Sequence, residues 1–314
     1  MTSKPAFLFP GQGSQSVGML SDLADAFPIV HDTFEEAGSL LGRDLWALAQ
    51  QGPKADLDRT ENTQPAMLAA GVAVWRCWRQ QGGPAASIMA GHSLGEYSAL
   101  VCAGALGFAD AVGLVAARAQ LMQQAVPAGQ GAMAALLGLD DASVIAICRE
   151  QAKGQVVEAV NFNAPGQVVI AGDSEAVQRA TDAAKAAGAK RALLLPVSVP
   201  SHCALLADAA EALAERLTAT PISAPPIPVI HNVSVDTAAD ANAIRELLAR
   251  QLHSPVRWVE TVQAIAERGI DVAIEAGPGK VLTGLGKRID KRLQTLPVFD
   301  PAGLSAAIEA TTDG

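Results

Sequence analysis

Aromatic residues make up only 4% of this 314-residue chain, so Ala, Leu and Val must fill its core. Lys and Arg are outnumbered by Asp and Glu, 23 to 32, leaving a net charge of −9. No basic stripe interleaved with aromatics offsets that charge, which argues against a nucleic-acid partner. Cysteine is scarce too. Cys77, Cys102, Cys148 and Cys203 form no C-x-x-C pair and no metal-ligand spacing. Reduced thiols, a cytoplasmic setting and no metal are therefore expected. Gly, Gln or charge breaks every apolar stretch before it reaches about 18 residues, so no transmembrane helix and no membrane partner are expected. The start, Met1-Thr2-Ser3-Lys4-Pro5, runs straight into a strand-like segment and does not read as a signal peptide.

Half of the residues are apolar, which marks a globular chain. The length suits one large α/β domain carrying an inserted piece. Residues 6–9 read as a short buried strand, closed by Pro10 and followed by the Gly-rich turn 11–15. Helical patterning covers 29–41 and 64–82, with Pro65 expected in a first turn. A strand is expected at 87–90 and a long helix, bearing Arg118, at about 108–125. From 132 to 195 the order changes to strand 132–137, helix 140–151, strands 156–161 and 168–171, helix 174–187 and strand 191–195. This β-α-β-β-α-β order predicts a ferredoxin-like unit. Hinge-like segments, Pro127-Ala128-Gly129 and Pro196 to Pro200, flank it. Beyond it, a helix at 205–217, strands at 228–230 and 272–275, the turn Gly277-Pro278-Gly279 and a helix at about 280–291 are expected. The expected organisation is a parallel, doubly wound α/β domain in two parts, 1–127 and 199–314, with a small domain, 128–198, inserted between them.

The run Gly91-His92-Ser93-Leu94-Gly95 is a G-x-S-x-G pentapeptide set between apolar Ile88-Met89-Ala90 and a helix-like stretch from Glu96 to Ala103. Strand, sharp turn with serine at the tip, then helix is a nucleophile elbow. The glycines keep Cβ atoms clear of the turn, and the helix N-terminus offers backbone N–H groups beside the hydroxyl. That suits covalent acyl chemistry, with serine attacking a carbonyl and an N–H holding the oxyanion.

A serine hydroxyl needs a base, and the chain has five histidines. His92 lies inside the elbow, with its side chain expected to point away from the hydroxyl. His31 lies on a charged helix and is expected to be solvated. His202, His231 and His253 remain. His202 follows a hinge, where a loop can present it at a cleft; His231, at a strand end, could equally be a satisfied hydrogen-bonded residue; His253 sits at a helix end. No Asp or Glu offers itself as a third member, because Asp173, Glu175 and Asp182 all fall in the inserted unit. Either something neutral orients the histidine, or the site departs from the usual hydrolase triad. Arg118 stands in an Ala-rich apolar helix. Pattern alone favours a surface Arg that pairs or snorkels; the rival reading is a fork for a substrate carboxylate. Cys203 adjoins His202, but adjacent helical residues do not face each other, so a core thiol is expected.

Together these residues resemble the malonyl-CoA:acyl-carrier-protein transacylase family. The resemblance runs from Phe9-Pro10-Gly11-Gln12-Gly13-Ser14-Gln15 through Asn62-Thr63-Gln64-Pro65-Ala66, the elbow with Glu96-Tyr97, and 161–167. It continues through Val199-Pro200-Ser201-His202 and 251–258 to Glu275-Ala276-Gly277-Pro278-Gly279. It implies a hydrolase-like large domain with a ferredoxin-like small one. Ser93 would carry malonyl as an ester, and His202 would serve as base and then acid. The backbone carbonyl of Gln251 would orient the imidazole in place of a carboxylate. Gln12 and the Leu94 N–H would form the oxyanion hole. Arg118 would seat the free carboxylate of malonate, with Gln64, Asn161 and Asn163 lining the cleft. The implied partners are a coenzyme A thioester and an acyl carrier protein, used by a monomer with neither metal nor organic cofactor. Lys280, Lys287, Arg288, Lys291 and Arg292, with Lys190-Arg191, form the basic patches open to an acidic carrier. A malonyl transferase serving a decarboxylase or a polyketide carrier is the near alternative. A serine esterase or phospholipase is the distant one, and it leaves Arg118 without a purpose.

Overall fold

The computed structural model describes residues 4–127, 129–197 and 199–312. The strands among them are β1 (Ala6–Phe9), β2 (Ile88–Gly91), β3 (Gly131–Leu137), β4 (Val157–Ala164), β5 (Gln167–Asp173), β6 (Arg191–Leu194), β7 (Val229–Ile230), β8 (Val272–Ala276) and β9 (Gln294–Val298). Five of them form a parallel sheet in the order β7-β2-β1-β8-β9. A parallel sheet is covered by helices on both faces, so its strands are apolar throughout rather than alternating. Every residue of β1 and β2 is buried accordingly.

Successive side chains still point to opposite faces. Phe7, Phe9, Met89 and Ile274 enter one core, with the helices Thr60–Gln80, Gly95–Cys102 and Phe108–Ala125. Ala6, Leu8, Ile88, Ala90 and Ala273 enter a second core, with Trp258, Val262 and Leu282. The C-terminal ends of β1, β2 and β7 deliver Gln12, Ser93 and Asn232 to one edge of this sheet, where open α/β folds place their ligands.

The other four strands form an antiparallel sheet, β4-β5-β3-β6, in a β-α-β-β-α-β unit of ferredoxin-like topology. The helices Asp141–Ala152 and Ser174–Ala186 cover one face of it, over Ala134, Leu136, Val168 and Ile170. The opposite face packs Met133, Val160, Val169 and Ala171 on Cys203. The outer edge of β4 bonds to the stretch that follows Gln251, with Val256 N–H on the Val160 carbonyl at 2.8 Å and Phe162 N–H on the Val256 carbonyl at 3.0 Å. The expected domain limits at 128 and 198 fall on residues outside those described, as does part of the hinge Pro127-Ala128-Gly129.

Two expectations are corrected. The helix placed at 64–82 starts at Thr60, so Pro65 sits inside it rather than in its first turn. Proline lacks the N–H that the Glu61 carbonyl needs, and Arg43 Nη2 supplies the donor instead at 2.9 Å. The helix at 280–291 stops at Ile289, leaving Lys291 and Arg292 in the turn before β9. β9, which carries Pro297, is an element that the expected order lacks. It lies at the sheet edge, where a missing donor is tolerated. No helix among the described residues is long and apolar enough to cross a membrane.

Candidate active site

The elbow forms because its backbone is crowded. A Cβ on Gly91 would lie 1.9 Å from the Gly95 carbonyl carbon, and one on Gly95 would lie 2.0 Å from the Phe9 carbonyl oxygen. Glycine alone lets β2, the turn and β1 approach this closely. Ser93, at the tip, takes φ +52°, a left-handed conformation that a serine adopts only when its surroundings impose it. Asn232, just past β7, supplies the constraint. Its Oδ1 accepts the Ser93 N–H at 2.7 Å and its Nδ2 donates to the Gly91 carbonyl at 2.7 Å.

His202 lies in a tight turn, also at positive φ, +68°, with its N–H on the Leu252 carbonyl at 2.9 Å. Its Nδ1 is 2.7 Å from the Gln251 carbonyl oxygen, and its Nε2 is 2.8 Å from Ser93 Oγ. A carbonyl only accepts, so Nδ1 carries the proton and Nε2 presents its lone pair to the serine hydroxyl. Burial, followed by the Arg118 charge, pushes the imidazole down to about 3, against the opposing pull of the Gln251 carbonyl. The ring is thus neutral at physiological pH, as a base must be.

Arg118 is 1% exposed on the helix Phe108–Ala125, and the surface reading of it is overturned. Its Nη1 donates to Gln64 Oε1 at 2.7 Å. Its Nη2 donates to Gln251 Oε1 at 3.0 Å and reaches Ser93 Oγ at 3.3 Å. The guanidinium lies 5.5 Å over the Tyr97 ring, and Nε has no hydrogen-bond partner among the described residues. Burial lowers its pKa, against the opposing influence of Tyr97 and Glu96. The fork therefore lies beside the hydroxyl with a donor to spare.

Gln12, Leu94, Asn161, Ser93, Arg118 and His202 line one narrow cleft of about 100 Å³, together with Met122 and Met133. Gln12 Nε2 is 3.3 Å from Thr60 Oγ1, and Leu94 is the residue that precedes the elbow helix Gly95–Cys102. Asn161 Oδ1 is buried without a hydrogen-bond partner among the described residues. Gln64 is fully buried behind Arg118, its Nε2 3.4 Å from Met122 Sδ. Asn163 reaches the site through His92, whose Nε2 is 2.8 Å from Asn163 Oδ1; the His92 ring is thereby occupied away from the serine. His231 is buried against Glu96 and His31 is exposed, so neither serves Ser93. Cys203 is a buried free thiol whose pKa burial pushes up to about 12. His31, Asp32 and Glu35 bring ligand atoms within 4.8 Å of one another at the exposed surface, and none of them lines the cleft.

Three contributors escaped the sequence reading: Asn232, Glu96 and the side chain of Gln251. Glu96 carried a signal, being a carboxylate in an apolar stretch, as Arg118 is a cation in one. Asn232 carried none.

A base-paired serine on a strand–helix elbow, faced by a buried fork, belongs to serine acyl chemistry. Residues 6–303 match the family described as the acyl transferase domain. The chain belongs to this acyl transferase family, in its malonyl CoA-acyl carrier protein transacylase branch. A relative of that name from Salmonella typhimurium is 60% identical over 303 residues, 96% of this chain and 98% of its own length. The solved structure of the transacylase from Coxiella burnetii is 53% identical and superimposes with a TM-score of 0.98 over 99% of each chain. A malonyl-transacylase solved in complex with its type II PKS acyl-carrier protein is 58% identical, with a TM-score of 0.97 over 98% of this chain and 100% of that one.

Proposed function

We propose that this acyltransferase moves malonyl from malonyl-CoA to the phosphopantetheine thiol of an acyl carrier protein, through an ester on Ser93. The observation that carries the reading is the 2.8 Å contact between Ser93 Oγ and His202 Nε2, with Arg118 Nη2 at 3.3 Å from the same oxygen. Arg118 holds the free carboxylate, which places the thioester carbonyl at Ser93. Ser93 Oγ attacks and its proton passes to His202 Nε2, while the Gln251 carbonyl steadies the imidazolium through Nδ1. The Leu94 N–H and Gln12 hold the oxyanion. Collapse expels coenzyme A, whose sulfur takes the proton back from His202. The carrier thiol then gives its proton to His202 and attacks the malonyl ester, and Ser93 leaves as the hydroxyl. These steps call for no metal or organic cofactor, and ping-pong kinetics follow.

The carrier docks on exposed cations. Arg288 and Arg292 are engaged, with Gln167 and the Pro165 carbonyl for the first and Asp290 for the second. Lys280, Lys287, Lys291, Lys190 and Arg191 are exposed and remain for an acidic partner. The enzyme works as a monomer in the cytoplasm, supplying fatty-acid elongation. Incubation with malonyl-CoA, read by intact-protein mass spectrometry, yields a malonyl adduct that Ser93→Ala abolishes. Added holo-carrier of the fatty-acid or polyketide type then discharges it. An adduct of equal yield in Ser93→Ala, or none in the wild type, refutes the reading.

A further inference from the structure

We propose that Glu96 is a positioning residue that sets the malonyl clamp and the base together, through Gln251. Glu96 sits in the first turn of the elbow helix and is fully buried. Its carboxylate gathers three donors. Oε1 takes His231 Nδ1 at 2.7 Å, while Oε2 takes the Asn232 N–H at 2.9 Å and Gln251 Nε2 at 2.8 Å. The Gln251 amide also donates to the Ser93 carbonyl at 3.1 Å and accepts from Arg118 Nη2 at 3.0 Å.

A carboxylate only accepts and a guanidinium only donates, so the amide between them can face one way. Its NH₂ must turn to Glu96 and its oxygen to Arg118. The backbone carbonyl of the same residue holds His202 Nδ1. Residue 251 thus carries the guanidinium on its side chain and the imidazole on its main chain, and Glu96 decides how it sits. Through the Asn232 N–H, the same carboxylate also anchors the residue that holds the Ser93 N–H and the Gly91 carbonyl. The carboxylate missing from a Ser–His pair is therefore present one residue behind the imidazole, touching no reacting atom.

The inference rests on the malonyl reading above, and acetyl separates the two because it has no carboxylate to seat on Arg118. Single-turnover loading is measured with malonyl-CoA and with acetyl-CoA, each scored as adduct on the full chain, with circular dichroism to verify folding. In Glu96→Ala the malonyl-to-acetyl ratio of loading rates falls about tenfold, the worth of one charge-assisted hydrogen bond. Glu96→Gln keeps the ratio within about threefold of wild type, because its amide oxygen can still take Asn232 and Gln251 while its NH₂ faces the other tautomer of His231. Gln251→Met, which severs the link but keeps the backbone carbonyl, matches Glu96→Ala, and the double variant falls no further.

A merely structural Glu96 would slow both substrates equally. An unchanged ratio in Glu96→Ala, or an additive double variant, overturns the proposal. Should Glu96→Ala not fold, Gln251→Met alone decides, and an unchanged ratio there is equally fatal. Failure of the wild type to load malonyl at all refutes the function itself, which is a different result from wild-type loading with unaffected variants.

Discussion

Asn232 holds Ser93 by its backbone. The Ser93 N–H, which stands at the mouth of a helix and would otherwise be free for an anion, is spent on Asn232 Oδ1 at 2.7 Å. The elbow therefore keeps its positive φ through a side chain contributed from beyond β7, the edge strand next to β2, which leaves the next N–H, that of Leu94, for the oxyanion of the proposed reaction.

Asn232→Ala orphans the half-buried Ser93 N–H and the buried Gly91 carbonyl, the latter at about 1–3 kcal/mol. The expected outcome is a lower melting temperature and malonyl loading slowed about tenfold at temperatures where the variant is fully folded. Thermal unfolding and single-turnover loading check it; a folded variant that loads at the wild-type rate contradicts the role.

Arg118→Ala removes the fork and leaves Gln64 Oε1 and Gln251 Oε1 without their donors. Malonyl loading is expected to fall about a hundredfold, some 3 kcal/mol, as two charge-assisted bonds are lost. Acetyl loading, which does not use the fork, should suffer less, so selectivity shifts toward acetyl. Competition between the two thioesters measures this, and unchanged malonyl preference would refute the clamp.

His202 titrates at about 3 in the fold against an ordinary 6.5. A folded value below the unfolded one means that the unfolded chain binds more protons between them. Melting temperature should drop with pH in that window, more shallowly in His202→Gln. The acid limb of kcat/KM for loading, which reports the free enzyme, should lie well below 6.5; a midpoint near 6.5 would contradict the neutral base.

Local patterns carried the elements well. The helix at 108–125 and the β-α-β-β-α-β unit follow from periodicity within short windows, and the elbow follows from glycines two residues either side of a serine. Misreadings arose where a partner lay elsewhere. Pro65 reads as a helix start until Arg43 is seen to satisfy the Glu61 carbonyl. Arg118 reads as a surface cation until burial decides otherwise, and family resemblance, rather than pattern, had already pointed to the fork.

By itself the sequence determined the strand–turn–helix that exposes Ser93, because backbone crowding and helix start are set by immediate neighbours. It also supplied a histidine, an arginine and the chain order of strands and helices in the small unit. Only the tertiary structure decided which groups complete the site. His202 meets Ser93 across 109 positions, Gln251 meets Arg118 across 133 and Asn232 meets Ser93 across 139. Such contacts depend on how the parallel sheet stacks its strand ends and how β4 ties onto the stretch after Gln251. Burial then sets the chemistry, since the same imidazole and guanidinium in water would be an ordinary titrating ring and a solvated charge.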